Sequence, residues 1–198
     1  YFTYMTRSHK LQTLNFLYEL LMHYESDVRR QAGQLMGQIL ANSGLQYRKE
    51  LPENAPESAI APTMAENLRE CAKLFDTFIG LLLMPDHKII KKHAVRITSS
   101  LKVVVDSLFL SCKPMDARMY LDVLLTWFEP GKEADRFALL DSIVHVPGQL
   151  FTEGELSMLI RFALPLLTDA APDQEICALR LLLYVARQRV EARGQLDQ

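Results

Sequence analysis

The stretch Ser26-Asp27-Val28-Arg29-Arg30-Gln31-Ala32-Gly33-Gln34-Leu35-Met36-Gly37-Gln38-Ile39 decides the fold class. Its apolar residues Val28, Ala32, Leu35, Met36 and Ile39 recur at three- and four-residue steps, the period of a helix with one face inward. Ser26 suits a helix cap, and Asp27 places negative charge in the first turn. Asn42-Ser43-Gly44 is expected to stop this helix. Just upstream, Leu11, Leu14, Leu17, Tyr18, Leu21 and Met22 form one stripe of an earlier helix over Arg7 to His23.

The same period continues downstream, and strand signals are nearly absent. A polar stretch over 43–62, carrying Pro52, Pro56 and Pro62, reads as a loop. Thr63-Met64-Ala65-Glu66 reads as a capping box opening a helix to about Met84, which Pro85 ends. Asp86 then caps a helix with Ile90, Ala94, Ile97, Leu101 and Val104 or Val105 inside, broken by Pro114. Helices near Met115 to Phe128 and Lys132 to Val146 follow, divided by Pro130-Gly131 and closed by Pro147-Gly148. Thr152-Glu153-Gly154-Glu155 is a second capping box, for a helix to about Thr168. Pro172 suits the first turn of the last helix, with Asp173 and Glu175 favourable to its dipole.

The second helix of each successive pair carries an alanine in a similar setting: Ala32, Ala94, Ala138 and Ala178, at intervals of 62, 44 and 40 residues. Removing the proline-marked loop brings the first interval near the others. A short side chain there lets two helices approach closely. Val28-Arg29-Arg30-Gln31-Ala32 follows Leu20-Leu21, and Asp86 to Ala94 follows Leu81-Leu82-Leu83. Leu164-Pro165-Leu166-Leu167-Thr168-Asp169 precedes Ala178.

In these residues the chain resembles the HEAT repeat family, whose units pair an apolar, often proline-kinked first helix with Asp in the turn and Val-Arg-x-x-Ala opening the second. Two units depart from that pattern, with Ala134 and Asp135, then Gln174 and Glu175, at the valine and arginine positions. The resemblance implies an all-α, right-handed α-solenoid of about four antiparallel hairpins in one domain over 1–198, with units near 7–42, 63–111, 115–146 and 152–190. A plain helical bundle has the same stripes; regular spacing and recurrent alanine favour the solenoid. The polar end of the last helix, from Arg187 to Arg193, suits either a terminal cap or a boundary inside a longer stack. Tyr1 at the start points to a piece of a longer chain.

Composition is that of an ordinary folded chain: 198 residues, 49% hydrophobic and 23% charged, with a net charge of -2. That charge selects neither nucleic acid nor an anionic membrane as partner. The apolar runs Phe78 to Met84 and Val103 to Leu110 fall short of the ~20 residues of a membrane span. Cys71, Cys112 and Cys177 are far apart and embedded in apolar helical pattern, which predicts structural thiols, a reducing compartment and a cytoplasmic location.

No GxSxG, GxxxxGK[ST], HExxH or GxGxxG is present, so the sequence predicts no enzyme, no cofactor and no metal site. His87 and His93 are separated by about 600° of helical rotation and do not share a face. The local anomaly is basic. From His87 to Lys102 the chain carries Lys88, Lys91, Lys92, Arg96 and Lys102 without a carboxylate. In the repeat register Lys91 matches Arg29, Lys92 matches Arg30 and Arg136, and Arg96 matches Arg180, a basic row along the second-helix face that Asp135 and Glu175 interrupt.

The expected function is a non-catalytic scaffold. It grips an acidic or phosphorylated partner segment on its second-helix, concave face through Arg29, Arg30, Lys88, Lys91, Lys92 and Arg96. The alternatives are phosphate-backbone binding to nucleic acid by the same row, or a regulatory module of a larger enzyme. A solvated charged stripe explains the row equally simply.

Overall fold

The computed structural model describes residues 7–50, 57–83, 88–128, 136–169 and 172–196. The fold is all-α, with no strand among the described residues. In chain order the helices are α1 (Arg7–Leu20), α2 (Ser26–Glu50), α3 (Glu57–Leu83), α4 (Lys88–Ser111) and α5 (Pro114–Thr126). They are followed by α6 (Arg136–Ile143), a 3-10 turn over Gly148–Leu150, α7 (Glu153–Ala163), α8 (Leu166–Asp169) and α9 (Pro172–Leu196).

Proline and capping signals place several helix starts. Pro114 occupies the first helical position of α5, where its missing N–H is not needed, and the Lys113 carbonyl accepts from the Asp116 and Ala117 amides at 3.0 and 2.9 Å. Pro172 opens α9 in the same way. Thr152 forms its predicted box: its hydroxyl accepts from the Glu155 amide at 3.3 Å, and the Glu155 carboxylate accepts from the Thr152 amide at 2.7 Å.

Other local signals are overridden. Helix α2 passes through Asn42-Ser43-Gly44 to Glu50, because one helical glycine costs only about 1 kcal/mol. The Asn42 amide donates back to the Gln38 carbonyl at 2.8 Å rather than capping. The expected loop over 43–62 is therefore mostly helix, with 43–50 in α2 and 57–62 in α3; Pro52 and Pro56 lie outside the described residues. Thr63 to Glu66 falls inside α3, so that box opens no helix. The helix expected through Thr168 breaks at Leu164-Pro165, where proline supplies no N–H, and resumes as α8. Pro85, Asp86, Pro130-Gly131, Ala134 and Asp135, to which the sequence assigns roles, lie outside the described residues.

Helices α2, α4, α6 and α9 pack each on the next, while α3 packs on α2, α4 and α5, and α7 and α8 pack on α9. One continuous apolar core runs through them, with Leu21, Phe75, Ile79, Leu108, Tyr120 and Leu139 fully enclosed. Leu101, Val104 and Val105 are buried as expected, and the side chains of Ile90, Ala94 and Ile97 lie outside the described residues. Of the five α2 residues expected inside, Ala32, Met36 and Ile39 are buried and Val28 is half-buried. Leu35 is 45% exposed, because α2 turns a different face to its neighbours.

That face is small. Gly33 and Gly37 lie against α4 so closely that a Cβ on Gly37 would stand 2.7 Å from both the Leu108 nitrogen and the Val104 carbonyl oxygen. Ser107 of α4 closes the contact by donating to the Gln34 carbonyl at 2.7 Å. Ala32, Ala138 and Ala178 are buried, as the repeat reading expects, but the tightest α2–α4 approach belongs to the glycines.

A second joint ties α5 to α7. The Arg118 guanidinium donates to the Leu150 carbonyl at 2.8 Å, to both oxygens of Glu155, and pairs with Asp122 at 2.7 Å. Arg118, together with the Thr152 amide and hydroxyl, holds the Glu155 carboxyl down at about 2, below its ordinary 4.5. A carboxyl depressed on folding stabilises the native state above its unfolded value, and loses that contribution as pH falls through the folded one. Wild-type stability is therefore expected to drop between pH 4.5 and about 2 by a step that Glu155→Gln lacks. With Arg118 38% exposed, the step is about 1–2 kcal/mol after solvent screening. Urea melts of both proteins across this range check it; parallel acid limbs would remove the assignment.

Candidate functional site

Among the described side chains, two of the predicted basic residues are engaged by the chain's own carbonyls. Arg29 folds back from α2 and donates to the carbonyls of His23 and Tyr24 at 2.7 and 2.8 Å. Arg96 reaches across from α4 to the Met22 carbonyl at 3.3 Å, and the buried Ser100 hydroxyl donates to the Leu21 carbonyl at 2.9 Å. These groups converge on the C-terminal end of α1, where helical carbonyls lack intrahelical partners and carry partial negative charge. Arg29 and Arg96 thus fasten α1 to α2 and α4. Arg30 points to solvent and pairs with Asp27 at 3.3 Å. The backbone of Lys88, Lys91 and Lys92 belongs to the first turns of α4; their side chains lie outside the described residues, as does that of Arg136.

Further along the row of second helices the charges neutralise one another. Asp141 of α6, 13% exposed, lies 3.7 Å from Lys102 of α4 and 3.2 Å from Arg180 of α9. His145 Nδ1 is 3.5 Å from Asp106. Among the described side chains these charges form a mixed-sign string that links α4, α6 and α9.

The thiols sit in structural settings. Cys71 and Cys177 are buried and Cys112 is half-buried, all unbridged. Burial, then Asp116, pushes the Cys112 thiol up to about 12, and burial, then Asp141, raises that of Cys177. Both effects disfavour the thiolate that nucleophilic chemistry needs. No group of His, Cys, Asp and Glu that could hold a metal ion occurs among the described residues. No helix there is long and apolar enough to cross a membrane.

A groove between α3 and α5 is lined by Arg69, Lys73, Asp76, Met119, Asp122 and Thr126. Its carboxylates are engaged structurally: Asp76 accepts from the Trp127 indole at 2.8 Å, and Asp122 is held by Arg118.

The feature that sequence reasoning missed is on α9. One of its faces is buried through Cys177, Ala178, Leu181 and Val185. On the opposite face Ile176, Leu179, Leu183 and Val190 are 49%, 50%, 55% and 70% exposed, and Ala186 joins them. These five residues are spaced by three, four, three and four, so they align on one side of the helix. Beside them a groove of about 280 Å³ runs between α7 and α9, lined by Ile160, Leu182, Val185, Ala186, Arg189 and Val190. Leu164, 50% exposed, lies just beyond the end of α7. The spacing was available in the sequence. It was obscured because α9 carries two apolar stripes, and only packing tells which one the core takes.

No family model matches the chain, and no curated protein matches it in sequence. A solved structure described as an engineered protein is similar over 91% of this chain and 68% of its own, at 14% identity and a TM-score of 0.38. That likeness is too loose to bear on fold or function.

Proposed function

We propose that this chain is a non-catalytic protein-interaction scaffold, built as a HEAT-like right-handed solenoid of about four hairpins. The reading is supported by the succession of α2, α4, α6 and α9, each packed on the next. It places the chain in the cytoplasm, in keeping with its three unbridged cysteines.

The observation that carries the function is the exposed apolar seam of α9. The largest apolar patch on a monomeric protein is often a contact surface. The scaffold presents its row of second helices to the partner, with the α9 seam as the apolar contact. Arg30 and the lysines at 88, 91 and 92 attract an acidic or phosphorylated segment. Arg29 and Arg96 shape this surface by pinning α1 rather than by touching the partner.

Affinity capture from lysate at physiological salt, with nuclease controls, tests the assignment. Wild type is compared with Leu179→Glu/Leu183→Glu and with Lys91→Glu/Lys92→Glu. A protein retained by wild type and lost with the seam variant supports the reading. Loss only with the lysine variant moves the contact to the α4 end of the row. Material that disappears on nuclease treatment replaces the scaffold with phosphate recognition, whose affinity falls steeply with salt. Undiminished capture by both variants removes the surface altogether.

A further inference from the structure

We propose that the outer seam of α9 is a homodimer interface, in which two copies of this chain pair α9 with α9 in parallel. The inference rests on the interaction reading above and names the occupant of the seam. Ile176, Leu179, Leu183, Ala186 and Val190 cover an arc about 80° wide at 100° per residue. That is the narrow stripe of a coiled-coil seam, not the broader face of a helix packed into a globular core. A seam of this width selects another helix as its occupant. Among the described residues the other exposed large apolar side chains, such as Phe16, Leu81, Leu110 and Met115, are scattered over several helices. The matching seam therefore comes from a second α9.

Residue types select the arrangement. In heptad terms Ile176, Leu183 and Val190 stand at a positions, and Leu179 and Ala186 at d. Two of the three a residues are β-branched and one of the d residues is leucine, the combination that favours two parallel strands. Glu175 precedes the seam at a g position and Arg180 follows it at e. In a parallel pair Glu175 meets Arg180 of the second copy, twice by symmetry. Arg180 is 60% exposed and turns one guanidinium nitrogen to Asp141, leaving other donors for this contact. An antiparallel pair sets Arg180 and Arg187 against each other along one flank, so repulsion opposes it.

The energetics suit a modest dimer. Five exposed residues, with their charged flanks, give on the order of 1,000 Å² of total buried surface, the lower end of specific interfaces. Helix α9 is already folded against α6, α7 and α8, so pairing carries no helix-ordering cost. Area alone does not set affinity, so pairing is sought across the micromolar range.

Sedimentation velocity on the purified full chain, from roughly 1 to 100 µM, tests the pairing. Wild type is expected to pass from monomer to dimer across this range. Leu179→Glu/Leu183→Glu is expected to remain monomeric, with association weakened roughly 100-fold or more, since it charges the centre of the seam. Both positions are exposed, so an unchanged thermal melt separates lost pairing from lost folding. Val190→Cys under mild oxidation is expected to cross-link to itself, because parallel packing sets the two copies of position 190 side by side; wild type controls for Cys177.

Wild type monomeric throughout overturns the homodimer. If the seam variant still abolishes protein capture in that case, the scaffold function survives with a different occupant. A dimer indifferent to the glutamates overturns the interface. Cross-linking confined to a mixture of Ile176→Cys and Val190→Cys proteins overturns the parallel arrangement.

Discussion

Replacing Gly37 with alanine is expected to destabilise the fold by about 2–4 kcal/mol, although the same change on an exposed helix normally stabilises by about 0.5–1 kcal/mol. The sign reverses because the new Cβ meets backbone, at 2.7 Å from the Leu108 nitrogen and the Val104 oxygen. A side chain in the way can rotate; a helix backbone has to move bodily. Separating α2 from α4 by even part of an ångström forfeits a quarter to a half of each dispersion contact along their shared face. It also lengthens the Ser107 hydrogen bond to the Gln34 carbonyl.

Gly33→Ala should be milder, since its Cβ would meet side-chain atoms rather than backbone, Val103 Cγ1 at 3.0 Å and Cβ at 3.2 Å. Gly154→Ala supplies the opposite control. Its Cβ would find only the Thr152 hydroxyl, at 3.9 Å, so it should stabilise α7 by about 0.5–1 kcal/mol. Urea denaturation followed by circular dichroism measures all three. A Gly37→Ala protein as stable as wild type would mean that α2 and α4 do not approach at this point.

Phe75→Ala is expected to lose about 3–5 kcal/mol, the usual range for a fully enclosed aromatic ring. Phe75 is 0% exposed and stands edge-on to Tyr120, centroids 5.6 Å apart at 81°. Tyr120 in turn donates its hydroxyl to the Leu40 carbonyl at 2.8 Å, so one chain of contacts joins α3, α5 and α2. Removing the ring leaves a cavity and frees Tyr120 from the edge contact that orients it. Tyr120→Phe keeps the packing but loses a buried hydrogen bond, for about 1–2 kcal/mol. The double-mutant cycle of Phe75→Ala with Tyr120→Ala, which removes the facing ring, should show coupling of about 0.5–1.5 kcal/mol. Additive losses would show that the rings do not act as a unit.

These positions mark the boundary between what the residues announce and what only packing decides. The boxes and prolines that act at a helix start, Thr152 with Glu155, Pro114 and Pro172, could be read directly because their partners lie within one turn. The stops at Asn42-Ser43-Gly44 and in the 43–62 stretch misled. The first is a weak preference of about 1 kcal/mol or less, which helix continuation outweighs; in the second, α3 runs through Pro62 although proline inside a helix costs about 3 kcal/mol. Buried alanines at 32, 138 and 178 were legible as a recurrence, while the tighter glycine contact at 33 and 37 needed the facing helix to give it meaning.

The surface divides in the same way. Arg29 and Arg96 are conspicuous as charges, yet their engagement with α1 depends on a carbonyl end brought to them by folding. On α9, Leu181 and Leu183 are both leucine, one fully buried and one 55% exposed. Composition cannot distinguish them, and helical phase alone allows either stripe to face the core.

The order in which the helices touch has a kinetic meaning as well. Among the described residues, helices in substantial contact are separated by at most two others along the chain. Contacts within that span still close loops of 73 and 80 residues, as at Ser107–Gln34 and Tyr120–Leu40, so folding is expected to wait on these closures. The order of contacts also lets the two ends open independently. Amides of α1 and α9 are expected to exchange with solvent through separate partial openings, whereas those of α2 and α4, clamped at Gly37, wait for global unfolding. Protection gained when α9 is covered should therefore spread first into α6 and reach α1 last.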